Sequence, residues 1–313
     1  MSSAALRTGG APARGAARRA GPGVGRPGAL WVLPGLVFFC LFAVLPLGLV
    51  AYLSFTSWDG LGTPRFVGGQ NWSRLAGDGL MHQAVGLSAG LTAANWAVQT
   101  PISLLLGVWA AGRQRNRAVL AAVFFVPLLL SSAAIAIIWK SLLDPNFGPL
   151  AQIGPWLGLS DAGVLGGAGS AFLVIVLVTA WQFIPFHMLL YQSGARQIPE
   201  SLYQAARIDG AGTLRSFRHI TLPQLRHTVT MSSVLMVVGS LTYFETVLIL
   251  TGGGPGTATT IVPYLMYRSG FVGWEMGYSA AIAATLVIAA TAVSLVMVRL
   301  TGFGAMRSTR EGM

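Results

Sequence analysis

Charge is scarce in this 313-residue chain, with only 9% of residues charged, against about 25% in a soluble globular domain. A soluble fold needs charge to cover its surface, so a water-soluble protein is excluded. Cysteine occurs once, at Cys40, and lysine once, at Lys140. One cysteine excludes an intrachain disulfide and a cysteine zinc cluster. It leaves Cys40, inside an apolar run, to be read as a small core hydrophobe. The lone lysine follows Trp139 with no glycine run before it, whereas a P-loop needs a lysine after its glycines to reach nucleotide phosphates. His-Glu-x-x-His is absent, and His82, His187, His219 and His227 have no cysteine or acidic neighbours at ligand spacing. The histidines therefore read as structural, with no metal site. The chain also reads as lacking a nucleophile, so no catalytic site is expected.

What the chain has instead is apolar length. Hydrophobic residues make up 54% of it, gathered in long blocks. Six segments match the about 20 residues that span about 30 Å of hydrocarbon: Leu30–Phe55, Ala84–Ala111, Ala118–Trp139, Ala171–Tyr191, Val229–Leu250 and Tyr278–Val298. An all-α polytopic membrane protein with six transmembrane helices is expected. Pro34, Pro46, Pro101, Pro127 and Pro185 fall within these segments. Neighbouring helices can re-satisfy the carbonyls a proline frees, and the resulting kinks suit a cavity.

The net charge of +11 suggests nucleic acid, but its distribution does not. Sixteen of the twenty basic residues lie on one side of the expected membrane: Arg7, Arg14, Arg18, Arg19, Arg26, Arg113, Arg115, Arg117, Arg196, Arg207, Arg215, Arg218, Arg226, Arg299, Arg307 and Arg310. Arg65, Arg74, Lys140 and Arg268 lie on the other, with Asp59, Asp78, Asp144, Asp161 and Glu275. The rule that cytoplasmic loops are basic makes both termini cytoplasmic. Residues 1–28 are rich in Ala, Gly, Arg and Pro, and read as a disordered basic tail. Their composition also resembles an organelle transit peptide, whereas the apolar stretch after them is too long for a signal peptide. Residues 29–301 read as the membrane domain and 302–313 as a cytoplasmic C-terminal tail.

The loop 196–226 is the most informative stretch. Pro199 suits a first helical position, and Glu200 favours the positive end of the helix dipole. Leu202, Ala205 and Ala206 share a face. Gly210 and Gly212 stop that helix. Thr213 suits an N-cap for a second helix, in which Leu214 and Phe217 pair and which ends before Pro223. Two readings stand on physics alone: a basic hairpin resting on anionic headgroups, or a low-profile helix entering a partner's cleft. The small Ala205–Ala206 step favours the cleft.

Ala205-Ala206, three residues, Gly210, nine residues, Ile220, one residue, then Leu222-Pro223 resembles the "EAA" loop of membrane subunits of binding-protein-dependent ABC importers. Its first position is usually Glu; Gln204 stands here, which puts an ion pair at that position in doubt. Tyr52–Asp59, Pro145–Leu150, Leu250–Pro255 and Tyr264–Phe271 also resemble the sugar-type permeases, in the same order along the chain. The resemblance implies a fold of the importer-permease type in the bacterial plasma membrane. It implies a second permease in a heterodimer, an ATPase dimer that carries ATP and Mg and grips Gln204, Ala205, Ala206, Gly210, Ile220, Leu222 and Pro223, and an extracytoplasmic solute-binding protein. The solute would be an oligosaccharide, polyol or glycerol phosphate. No cofactor on this chain and no nucleic acid are implied; membrane lipid surrounds it.

Two polar features mark where a solute passes. Ser88, Thr92, Asn95, Gln99 and Ser103 fall in one arc of the second segment. Such a stripe either bonds between helices or faces a wet pathway. Thr242, Tyr243, Phe244 and Glu245 lie in the fifth, and Glu245 is the one acidic residue placed within a span. An intramembrane carboxylate is either a solute contact or a hydrogen-bonded structural group. In sugar-type permeases this stretch, just before the glycine loop, lines the sugar site. Trp181, Gln182, Pro185 and His187 interrupt the fourth segment, with His187 either packed or facing the pathway. The loop Gly252–Gly256 is either a plain turn or a contact for the binding protein. The rival reading is a secondary transporter driven by protons through Glu245 and His187. It lacks the internal repeats and intramembrane charge usual in that class.

Overall fold

The computed structural model describes residues 31–112, 119, 122–149 and 163–300. The expected tails at 1–28 and 302–313, the arginines at 113, 115 and 117, and Asp161 lie outside the described residues. The chain divides at Pro46 into two compact units, which are described separately.

The architecture is helical. Helix α1 is Leu33–Leu53 and contains a π turn at Cys40–Val44. Cys40 is exposed on it, which corrects the expectation of a core position: an apolar run of a membrane helix can face outward as well as inward. The second unit holds α2 (Gln70–Gly77), α3 (Gly79–Ala110), α4 (Val126–Leu129), α5 (Ser132–Leu142) and α6 (Ala168–Arg196). Then come α7 (Glu200–Ile208), α8 (Thr213–Ser216), α9 (Arg226–Ser240), α10 (Glu245–Leu250), α11 (Val262–Tyr267) and α12 (Met276–Leu300). Among the described residues a two-stranded ribbon, β1 (Thr56–Ser57) against β2 (Arg65–Phe66), pairs antiparallel with Thr56 opposite Phe66.

Among the described residues, three helices are both long and apolar enough to cross a membrane: Leu33–Leu53, Ala168–Arg196 and Met276–Arg299. Helix α3 has the length, 32 residues, but its polar stripe lowers its hydropathy. The third and fifth expected segments are not continuous helices. The third breaks at Leu130–Ser131, both extended, after which the Ser131 hydroxyl caps α5 by accepting from the Ala134 amide at 3.2 Å. The fifth breaks at Leu241–Phe244, between α9 and α10. Hydropathy averages over a window and does not register such breaks.

Helix α3 is the spine of this unit. Its start packs Met81 and Ala84 against Val262, Leu265, Tyr278 and Ile282 of α11 and α12. Its middle places Leu91 in a cluster with Ile135, Ile175, Val178, Val247 and Leu250. Its end carries Leu104 onto Tyr191 and Leu225. Gly107 lets α6 approach closely: a Cβ there would lie 2.6 Å from the Met188 carbonyl oxygen and 2.7 Å from the Tyr191 Cβ. At 1.5 Å per residue the 32 residues of α3 span about 48 Å, more than the about 30 Å of hydrocarbon in a bilayer.

At the start of α3 the chain is tied by polar contacts. The Arg74 guanidinium donates to both Glu275 carboxylate oxygens, at 2.8 and 2.9 Å, and lies 4.1 Å above the Tyr278 ring centre. The Tyr278 hydroxyl donates to Asp78 Oδ2 at 2.6 Å. The Asp78 Oδ1 caps α3 by accepting from the Leu80 amide at 2.8 Å. Burial alone would push the Asp78 carboxyl up, but the Tyr278 hydroxyl, the Leu80 and Met81 amides and the Arg74 charge bring it below its usual value.

Candidate functional site

The hairpin at the other end of α3 shows why its glycine is where it is. Helix α7 closes with the Ala211 amide donating to the Ala206 carbonyl at 2.8 Å and the Gly210 amide to Arg207 at 3.1 Å. These are the paired bonds of a Schellman ending, which needs a left-handed residue after the cap. Gly210 supplies it, with φ +71°. Nothing lies within 4 Å of a Cβ placed there, so a side chain would meet only backbone strain. Gly210→Ala is therefore expected to destabilise the hairpin by about 1 kcal/mol without a clash. Faster amide exchange confined to residues 205–213 would check it; unchanged protection would count against the Schellman account.

Four local expectations are corrected. Pro199 is the N-cap of α7, not its first residue, with extended ψ of 130°, as its fixed φ allows. Gly212 holds the N-cap place before α8, and Thr213 is the first helical residue. The second helix does not end before Pro223: it continues through a π turn at Phe217–Thr221 into Leu222–Gln224. Pro223 cannot donate to the carbonyl four residues back, and the wider turn before it takes up the mismatch. Leu214 and Phe217 do not act as a pair either. Leu214 is 80% exposed, while Phe217 packs against the Leu104, Tyr191 and Leu225 cluster.

The hairpin is thus anchored on one side and free on the other. Ala206 is buried, and the Tyr203 hydroxyl bonds the Thr221 hydroxyl at 2.9 Å. Gln204, Ala205, Gly210, Leu222 and Pro223 are exposed and Ile220 is half-buried. Ile208, three residues after Ala205 and so on its face, is 86% exposed. The Arg207–Glu200 ion pair, at 2.9 Å with both groups mostly exposed, contributes little.

The residues expected to meet a solute divide into two groups. Asn95 and Gln99 are fully buried. The Gln99 amide donates to Asn95 Oδ1 at 2.7 Å, and the Thr179 hydroxyl of α6 donates to the same oxygen at 2.9 Å. Ser103 bonds the Gln99 carbonyl, and Ser88 accepts from the Val262 amide at 3.0 Å. Thr242, Tyr243, Phe244 and Glu245 stand together at the break between α9 and α10, with Thr242 and Glu245 exposed. Tyr243 joins the two groups: its ring stacks on Phe183 at 5.3 Å, and its hydroxyl faces Gln99 and Ser240. Phe244 contacts Tyr267, which stacks on Phe271, at 5.1 and 5.5 Å. Sequence spacing alone pointed to neither Phe183 nor Tyr267.

His187 is buried and bonds the Ser232 hydroxyl at 2.9 Å. Gln182 donates to the Ser132 hydroxyl at 3.1 Å. The glycine loop is held by its own neighbours. Thr259 and Thr260 hydroxyls donate to the Gly254 and Gly253 carbonyls at 2.8 and 3.2 Å, and Gln83 donates to the Thr257 carbonyl at 3.0 Å.

Gly86-Leu-Ser-Ala-Gly90 has the spacing of a hydrolase nucleophile elbow, which requires a serine on a sharp strand-to-helix turn. Ser88 is inside α3 and buried, so the spacing carries no such chemistry. No group of three or more metal-ligating side chains occurs among the described residues.

The fold and its two polar features define a helical membrane protein with an anchored hairpin at one face and a broken helix within. Residues 103–303 match the family described as binding-protein-dependent transport system inner membrane component. The chain is 31% identical over 275 residues to the probable ABC transporter permease protein YurN of Bacillus subtilis, covering 86% of this chain and 94% of that one. It is 30% identical over 277 residues to the multiple sugar-binding transport system permease protein MsmF of Streptococcus mutans, covering 88% and 94%. A solved bacterial alginate ABC transporter shares the fold, with a TM-score of 0.76 and 19% identity, over 87% of this chain and 92% of that one. The chain belongs to the family of binding-protein-dependent transport system inner membrane components. It is a permease, a multi-pass protein of the bacterial inner membrane.

Proposed function

We propose that this permease forms half of the path by which an ATP-driven importer takes up a sugar. Six crossings with both termini cytoplasmic complete the arrangement, flanked by the basic tail 1–28 and the tail 302–313. A second permease supplies the other half as a heterodimer, a soluble binding protein delivers the solute, and an ATPase dimer carrying ATP and Mg holds the hairpin. The chain itself breaks no bond and binds no cofactor.

The observation that carries this reading is the hairpin, held from behind and open in front. Ala206 and Phe217 secure it, while Ala205 and Ile208 leave a low apolar face outward. Exposed apolar surface beside a small residue suits a cleft in another protein. Gln204 takes hydrogen bonds there but offers no charge.

Solute passage is assigned to the break at Leu241–Phe244. Irregular backbone at membrane depth is tolerated only where protein covers it or a wet cavity receives it. This break puts Thr242 and the Glu245 carboxylate at the surface of the chain. Asn95 and Gln99 support it from behind through Tyr243. Hydroxyls of a sugar meet the Glu245 oxygens, and its C–H faces meet the aromatic rings. The relatives named for sugar uptake, MsmF and the trehalose/maltose permease MalF of Thermococcus litoralis, support the substrate class.

Co-purification from the native membrane tests the assembly, and reconstituted vesicles test its energy source. A second permease and an ATPase are expected to accompany the chain in fixed proportion. Sugar uptake is expected to follow ATP and to keep that dependence in Glu245→Gln. A proton gradient driving uptake without ATP, lost in Glu245→Gln, would replace this reading with the secondary transporter.

A further inference from the structure

At the end of α3 away from the hairpin, a pocket of about 150 Å³ lies among Trp58, Asp59, Asn71, Arg74, Trp274 and Glu275. It falls below the about 300 Å³ at which sites for larger ligands begin, and so admits one ring rather than a chain of them. Trp274 is the chain's anomaly there. It is 57% exposed, yet its backbone is left-handed, with φ +56°, a conformation that strains a residue with a Cβ. Its neighbours hold it so: the Gly273 amide donates to the Arg268 carbonyl at 2.8 Å and the Glu275 amide to Ser269 at 2.9 Å. A large apolar side chain kept in an unfavourable conformation at the surface points to a use for the exposed indole.

The other groups specify what the indole meets. Trp58 has its indole N–H committed to the Gly62 carbonyl at 2.6 Å, so its ring, not its polar edge, is on offer. Asp59 Oδ1 accepts from the Leu61 and Gly62 amides at 3.0 and 3.3 Å. Those amides hold its carboxyl below the ordinary range, and Oδ2 is left to accept further bonds. Arg74 and Glu275 neutralise each other across their two short bonds. The Asp59 carboxylate repels an anion and accepts from hydroxyls. A neutral ring with one apolar face and several hydroxyls fits the indole and this acceptor together.

We propose that this pocket is a binding subsite for a single neutral sugar ring, separate from the Leu241–Phe244 break. The ring lies against Trp274 and donates hydroxyls to Asp59. The proposal rests on the sugar reading of the function and places a first contact at the face opposite the hairpin, with α3, about 48 Å long, between the two.

Saturation-transfer NMR on the purified transporter complex tests it. The probes are the methyl glycosides of glucose, galactose, mannose and N-acetylglucosamine, with methyl glucuronide as the anion. At least one neutral glycoside is expected to give a signal that falls roughly tenfold in Trp274→Ala, as loss of a stacked ring implies. The signal should return in Trp274→Phe and be absent for the glucuronide. Equal signals in the wild type and Trp274→Ala overturn the proposal. So does a wild type silent to all four neutral glycosides, or a Trp274→Ala variant that loses only its hold on the solute-binding protein. If the wild type still imports sugar with ATP in vesicles, such a result refutes the pocket alone; if it imports none, the function itself has failed.

Discussion

Ala205→Trp is expected to abolish ATP-driven uptake while the chain still folds and enters the membrane. Ala205 is exposed on α7, and the contacts that anchor the hairpin run through Ala206, Tyr203 and Phe217 instead. An indole at 205 therefore disturbs nothing within the chain. It stands out beside Ile208 and holds a docked partner away from the low face. Disrupting the centre of an interface costs about 2–4 kcal/mol, a loss of roughly 30- to 1,000-fold in affinity for the ATPase. Ala205→Ser, which adds one small atom, should keep most uptake. Vesicle uptake and recovery of the ATPase with the tagged chain measure both. Full uptake by the tryptophan variant would mean that the hairpin is not the handle.

Gly107→Leu should have the opposite character, destroying the folded chain rather than its coupling. The added Cβ would sit 2.6 Å from the Met188 carbonyl oxygen and 3.0 Å from the Gln192 amide nitrogen. Both are helix backbone, so neither can swing aside. Relief requires α3 and α6 to part, which also pulls Gln192 from its 2.8 Å bond to the Ala110 carbonyl. Overpacking a core typically costs about 1–3 kcal/mol, and a clash with backbone belongs at or above the top of that range. Gly86 lies on the same helix with nothing within 4 Å of its Cβ position, so Gly86→Leu is the control. Thermal unfolding followed by size-exclusion chromatography in detergent should show a large drop for the first and little for the second. Equal stability would show that the two helices do not cross at Gly107.

Much of this was legible beforehand, and the unequal parts have physical causes. The hairpin could be read because its signals are local: a turn that needs a left-handed residue draws a glycine, and Gly210 stands at that turn. Its finer boundaries were less legible. Pro199 and Thr213 each fit two adjacent helix-start positions, and Pro223 sits inside a helix because a π turn precedes it. The break at Leu241–Phe244 was hidden in an apolar segment that looked continuous. The side chains of Thr242–Glu245 mark the stretch as polar, but nothing in their order shows that the backbone departs from helix there.

The composition and the apolar blocks by themselves made this a helical membrane chain. The spacing from Ala205 to Pro223 marked its hairpin. These properties are sums over neighbouring residues, so the linear order contains them. Only the tertiary structure decided which polar groups turn inward, as Asn95 and Gln99 do, and which stay outside, as Glu245 does. It alone brought Arg74 to Glu275 across 201 residues and α6 onto Gly107. Such pairings depend on how helices cross, and crossing is set by the fit of side chains on separate segments rather than by periodicity along one.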